Sequence, residues 1–384
     1  NFVGTVDDQD FILKRNNVQS GWLNDSLQNT ALGVNSLPMS VTGEGNTALG
    51  HRSLIALTTG EFNTSVGANS LIKNTVGSFN TALGGNTLTE NISGIENTAS
   101  GAYSLHRNTT GSYNSAIGSY TLQYNTTGDY NTASGWQALE ENTIGSRNTA
   151  MGTHAYELSS TGSDNVAVGH KSLRSTRAGN NNTALGAFTL ENIVNGSNNV
   201  AIGKRAGIDQ TAGDNNIIIG YNQNTANLTG DNQLNIGGVL FGTDLTGNQS
   251  APAGKLGVLT TAPTSSLHVN GSVSHSVRKE VTATATLGDN DYVLIFNGPD
   301  NTITSPYTVT LPVPTSCGGR MYKIIWGAGT SIDRYISFSE VIHFDDGSVT
   351  LPVGNTIQAN SNQYGTSGSV TLQSDGTNWW FIGR

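Results

Sequence analysis

Few residues of this chain are of types that do chemistry. His343-Phe344-Asp345-Asp346-Gly347 sets an imidazole beside two carboxylates, groups that can ligate a metal or exchange protons. The same composition also makes an ordinary polar turn, and no second His or Cys stands nearby at ligand spacing. Asp7, Asp8 and Asp10 offer oxygens to Ca²⁺ but lack the glycine and distal glutamate of an EF-hand loop. Cys317, beside Gly318-Gly319, has no assignable histidine partner for nucleophilic work. No nucleophile elbow, P-loop or zinc-protease helix motif occurs. A polysaccharide-cleaving site would need paired carboxylates in a groove, and in an oligomer these can come from different chains. No catalytic, metal-ligating or cofactor-binding residue is assigned, and the expectation is a protein that is not an enzyme.

Binding is better served. Aromatic faces and side-chain amides grip sugars and surface receptors, and Trp379, Trp380, Asn378, Tyr364 and Tyr335 supply both near the C-terminus. On a strand Trp379 and Trp380 face opposite ways, so one is expected in the core and the other at the surface or a subunit contact. Core packing is the ordinary role for each. Phe62, Phe79, Tyr113 and Tyr130 share one slot of a repeat, where they form either an exposed adhesive stripe or a structural stack.

That repeat is what must position everything else. Glycine recurs every 17 residues from Gly33 through Gly50 and Gly118 to Gly237, and a second series runs from Gly43 through Gly60 to Gly230. Asparagine stands four residues before the first series, from Asn29 through Asn46 and Asn114 to Asn216. Leucine stands four after it, as at Leu37, Leu54 and Leu71, with Tyr156 and Gly207 as exceptions. Asn46-Thr47-Ala48-Leu49-Gly50 is too short for a helix and suits a strand, and the glycines suit turns with positive φ. A 17-residue coil with two short strands and two turns is a β-solenoid or β-roll. About 13 such coils at ~4.8 Å per rung make a shaft of roughly 60 Å. The asparagines are expected to stack as an amide ladder. Both strand faces look buried. Leu49, Val66, Leu83 and Ile117 are expected inside against the Leu54 slot, and Ala48, Ala82 and Ala116 outside, although the reverse assignment also fits. One thin coil buries little apolar area, so either assignment implies an oligomer, a trimer wound around an axis.

Composition narrows the classes further. Of 384 residues 48 are glycine, and only 12 % are charged, about half the ~25 % of ordinary domains. A net charge of −9 argues against a nucleic-acid partner. A single cysteine makes no intrachain disulfide, and no apolar run is long enough for a membrane span. A start at Asn1 rather than Met gives the expectation of a fragment or processed product. Residues 1–28 read as a β segment capping the first coil through Trp22 and Leu27, 29–254 as the shaft, and 255–280 as a neck. Residues 281–384 lose the glycine period and hold seven or so short strands, a small β-sandwich or barrel closed by a hairpin at Asp375-Gly376.

The Asn-Thr-Ala-Leu-Gly repeats resemble the head repeats of trimeric autotransporter adhesins, which form left-handed parallel β-rolls of three chains. The present unit is longer. Asn1-Phe2-Val3-Gly4-Thr5 with Asp10-Phe11-Ile12-Leu13-Lys14 resembles segments in surface proteins of Bacteroidetes-type bacteria and their phages. Leu256-Gly257-Val258 followed by Pro263-Thr264-Ser265-Ser266-Leu267-His268-Val269-Asn270-Gly271 resembles the neck before the distal domain of phage tail fibres. Leu372-Gln373-Ser374-Asp375-Gly376-Thr377-Asn378-Trp379-Trp380 resembles the closing hairpin of such a domain. The resemblance implies a trimeric, extracellular, receptor-binding fibre with a β-roll shaft and a distal tip. Its implied partners are a host-surface glycan or protein and upstream tail components. Its implied location is the virion or, alternatively, the bacterial surface.

Overall fold

The computed structural model describes residues 11–246 apart from 17 and 25, then 253–270, and beyond these the strands between 277 and 383 with residues 287 and 311. The calls at Asp7, Asp8, Asp10, Cys317, Asp345, Asp346, Tyr364, Asp375, Gly376 and Asn378 lie outside the described residues. The described residues are all β, in two compact units, Asn1–Gly271 and Ser272–Arg384.

The first unit is a β-solenoid. Strand β1 (Phe11–Arg15) pairs antiparallel with β2 (Val18–Asn24), which pairs antiparallel with β3 (Asn29–Leu32). From β3 onward the strands run parallel and in register, as in Thr30↔Thr47, Thr47↔Thr64 and so on to Ile217↔Leu234. Trp22 is 2 % exposed opposite Ala31 and covers the first coil. At the far end Leu240–Thr243 turns back on the last rung, and Lys255–Val258 and Leu267–Val269 extend the same sheet.

The interior is a set of columns. The Asn46 slot forms the expected ladder. Asn63 donates its backbone N–H and its Nδ2 to Asn46 Oδ1, each at 3.0 Å, and gives Nδ2 also to Gly77 O at 2.9 Å. Asn114 repeats this against Asn97 and Gly128. A second ladder, Asn74–Asn91–Asn108–Asn125–Asn142, links each Nδ2 to the preceding Oδ1 at 2.8 Å. An unpartnered buried amide costs about 1–3 kcal/mol, so each coil depends on the next.

The strand faces are the reverse of the first assignment. Ala48, Ala82 and Ala116 are fully buried against Leu54, Leu71 and Leu122, whereas Leu83, Ile117 and Met151 are 41 %, 52 % and 49 % exposed. Each coil also holds one three-residue strand rather than two. The return pass keeps backbone bonds between coils, such as Leu54 N–H to Ser70 O at 3.1 Å, but Arg52 and Leu54 have φ of 58° and 54°. A leucine there costs roughly 1–2 kcal/mol of strain. Burying it gains about 2 kcal/mol, so the column is held only where the leucine is wholly covered.

The two glycine series have different causes. Gly50 and Gly118 have φ of +137° and +126°, a region L-residues avoid. Gly60 has no such φ; a Cβ there would stand 2.3 Å from Gly77 O. Exceptions in the columns compensate one another. Where Tyr156 replaces leucine, Ser159 replaces the ladder asparagine, and the Tyr156 hydroxyl accepts from Asn165 Nδ2 at 2.6 Å and donates to Gly179 O at 3.3 Å. Burial pushes this phenol above its ordinary pKa of 10, so it stays neutral. Asn142 Oδ1, which would meet an asparagine at 159, has no hydrogen-bond partner. Likewise Gly207 replaces leucine where Ile218 replaces alanine, and a Cβ on Gly207 would lie 3.0 Å from Ile218 Cδ1.

The second unit holds a seven-stranded and a four-stranded sheet. Its first six strands alternate between them. Val277–Glu280, Val293–Phe296 and Met321–Trp326 run parallel in one sheet, and Thr284–Thr286, Tyr307–Thr310 and Tyr335–Phe338 parallel in the other. The chain is therefore wound between two layers before the hairpin of Gly368–Ser374 and Trp379–Gly383 closes antiparallel on Met321–Trp326. Tyr322, Ile324, Leu372 and Trp379 are buried.

Two outcomes test these columns. Gly118→Val adds backbone strain and a Cβ 2.6 Å from Gly135 O, and should destabilise by about 3 kcal/mol or more, seen as a lower thermal midpoint. Ser159→Asn crowds the Tyr156 hydroxyl and should destabilise alone. Combined with Tyr156→Leu it should recover stability, a coupling of about 1–3 kcal/mol in a denaturant double-mutant cycle.

Candidate binding surface

The interior is filled by Ala, Leu and Asn, so any recognition chemistry sits on the outside. The outward strand face carries two rows. One, from Thr47 and Thr64 to Val200 and Ile217, is mostly threonine; the other runs through Leu32, Leu83, Ile117, Met151, Leu185 and Ile202, all at least 37 % exposed. This aliphatic row spans every rung of the parallel stack except where Ser100 and Ser134 interrupt it.

Each end of the three-residue strand turns a corner. The corner before it carries Phe62, Phe79, Tyr113 and Tyr130. Phe62 and Phe79 stack with centroids 5.3 Å apart, and Tyr113 and Tyr130 at 4.7 Å and 1°. These rings are 40–57 % exposed, so they are at once a stacked ladder and a surface stripe. The corner after the strand carries a band that the sequence reading did not single out. Tyr103 and Tyr120 stack at 5.3 Å, and Trp136, His154, His170 and Phe188 follow edge to face. The 17-residue comb itself marks this band, because Trp136 and His170 fall in one slot and Tyr103, Tyr120, His154 and Phe188 in the next.

Ion pairs tie neighbouring coils. Lys73 bonds Glu90, and Arg147 Nε and Nη2 grip both oxygens of Asp164 at 2.7 and 2.8 Å. The guanidinium's hydrogen bond holds the Asp164 carboxyl below its usual range. Glu157, nearly buried, meets Arg174 at 2.6 Å and His154 at 3.0 Å. Burial, then the negative charge of Glu157, pushes the neighbouring Glu140 carboxyl upward, against a hydrogen bond from Gln137. Among the described residues no group of three His, Cys, Asp or Glu is placed to hold a metal, and no helix is long and apolar enough to cross a membrane.

The C-terminal candidates separate. Trp379 is fully buried against Tyr322 at 5.4 Å, so it belongs to the core and is withdrawn as a receptor contact. Trp380, on the opposite face of the same strand, is half-buried. Tyr335 opens a strand paired with Thr356–Gln358, and His343 lies in a strand beside Trp380. A comparison with protein-family models, curated proteins and solved structures returns no match.

Trp379→Ala should therefore destabilise the C-terminal unit by about 3–5 kcal/mol, visible as earlier loss of near-UV dichroism in urea, with the solenoid's transition unmoved.

Proposed function

We propose that this chain is the shaft and distal tip of a trimeric extracellular attachment fibre, of the kind carried by a phage or phage-like tail. The observation that carries the reading is the exposed aliphatic row on an in-register stack of parallel strands. Contiguous apolar surface of this length marks an interaction site. The surface repeats once per rung, so a second identical ladder can match it rung for rung. Three copies around one axis close the row away from water and leave no copy with an unmatched face. The resemblance of the repeats to trimeric adhesin heads, and of the neck and closing hairpin to tail fibres, supports the same assembly. The C-terminal unit then supplies attachment, with three weak contacts to a host glycan or protein adding avidity.

A bacterial surface adhesin of the same build differs in location, and finding the chain in purified virions or on cells separates the two. A polysaccharide-cleaving tailspike differs in activity. Steady release of oligosaccharide from host capsule would replace attachment alone with catalysis.

Two measurements bear on the assembly and the tip. Ile117→Lys with Ile202→Lys should turn a three-chain species into single chains in sedimentation velocity while far-UV dichroism is kept; unchanged sedimentation removes the row from the interface. Deleting Ser272–Arg384 should abolish cell attachment and leave the shaft assembled, and undiminished attachment would move recognition to the shaft.

A further inference from the structure

The two corners that border the aliphatic row are opposite in charge. The corner before each strand carries Glu44, Glu61, Glu96, Asp129, Asp164 and Asp214, with Arg147 as its one cation between residues 44 and 232. The corner after each strand carries Arg52, Lys171, Lys204 and Arg205, with His51, His154 and His170, and not one Asp or Glu between residues 51 and 222. The Asp, Glu, Lys and Arg side chains among them are exposed or half-buried. They persist although the whole chain carries 27 acidic residues against 18 basic ones. Aromatic rings occupy both corners as well.

Backbone conformation adds a second observation. Phe62, Glu96 and Tyr130 on one corner and Arg52, Tyr120, Lys171 and Arg205 on the other all have φ between 52° and 62°. Glycine, asparagine or aspartate would take this conformation with less strain, and Gly45, Asn181 and Asn222 do so in the same slots. Large aromatic and charged side chains are kept there against a local penalty, as expected where the side chain has a surface task. Inside one chain most of these groups have a neighbour: Phe62, Tyr120 and Tyr130 stack on rings of adjacent coils, Asp164 is held by Arg147, Lys171 lies over Phe188 and Arg205 bonds Asn222 at 2.9 Å, while Asp129 and Asp214 accept backbone N–H bonds from Ser112 and Ser197 at 2.7 Å. Their outward sides remain exposed or half-buried.

We propose that the occupant of each corner is the opposite corner of a second copy of this chain, so that the acidic edge of one copy lies along the basic edge of the next and all copies point the same way. This rests on the fibre reading and deepens it. When two copies meet across the aliphatic row with parallel axes, the edge before the strand in one faces the edge after the strand in the other. A copy turned end for end would set the acidic edge against the acidic edge and the basic edge, with its cations at Arg52, Lys171, Lys204 and Arg205, against the basic edge. Like charges so placed oppose association, and opposite charges fix direction and register. The edge contact is heterologous, each copy giving one edge and receiving the other, and it closes only as a ring about the fibre axis.

The test uses the full chain with Cys317→Ser and a bismaleimide spanning about two rungs, roughly 10 Å. His51→Cys with Glu61→Cys in the same chain should give covalent species of two and three chains; each single variant alone should give none. Species from either single variant would mean like edges meet and would overturn the proposal while leaving the fibre reading intact. An assembled protein with no covalent species from the double variant overturns it equally. A chain that sediments singly overturns both. Arg52→Glu with Arg205→Glu should raise the concentration for half-assembly about tenfold, and adding Glu61→Lys with Asp214→Lys should restore it. Failure of restoration likewise counts against the pairing.

Discussion

No coil of the solenoid can satisfy its own buried amides. Asn63 gives its side-chain N–H to Asn46 and to Gly77 while its own carbonyl oxygen receives from Asn80, all a fixed distance along the chain. A buried polar group left unpaired is costly enough that one misplaced residue would strand donors in two coils. Constant coil length follows from that, and with it the glycine series and the parallel register. Stability is shared between neighbours rather than owned by any one coil.

The same constraint decides where function can reside. Alanine, leucine and asparagine fill most of the interior, and two sets of substitutions there fall together in the stack, Tyr156 with Ser159 and Gly207 with Ile218. The outward slots carry no such burden. They vary between Leu, Val, Ile, Met and Ser on the strand and among rings, acids and bases at the corners. A surface that repeats every rung can be matched only by something that repeats equally. A second copy of the chain has that property by construction, and in the proposed assembly the opposite charge on the two edges would give the match a direction.

The C-terminal unit reaches its fold by a different route. Strands alternate between two sheets before a hairpin closes one of them, and aromatic bulk takes the place of amide ladders in its interior. Trp379 against Tyr322 does there what the leucine and asparagine columns do in the solenoid. Trp380, one residue on and on the opposite face of the strand, is half-buried.

Spacing alone determined a great deal. A comb with no slip names the fold class, the coil length, the asparagine ladder and the buried leucine column, because each needs the same residue type at the same level of every coil. Seven strands of the C-terminal unit are legible too, from short runs of β-branched and aromatic residues, whereas Val277–Glu280, Thr284–Thr286, Ile342–Phe344 and Thr356–Gln358 are not. Alternation along a strand is symmetric, however, and says nothing of which side is inside. Only the curvature of the closed coil turned Ala48 inward and Leu49 outward; the constancy of the alanine slot beside the variable leucine slot was the available clue. Positive φ at Arg52 and Leu54, which removed the second strand, came from fitting a closed coil into 17 residues, a requirement no local pattern encodes. The two oppositely charged edges emerged for the same reason: residues ten apart become the borders of one face only after the chain has wound.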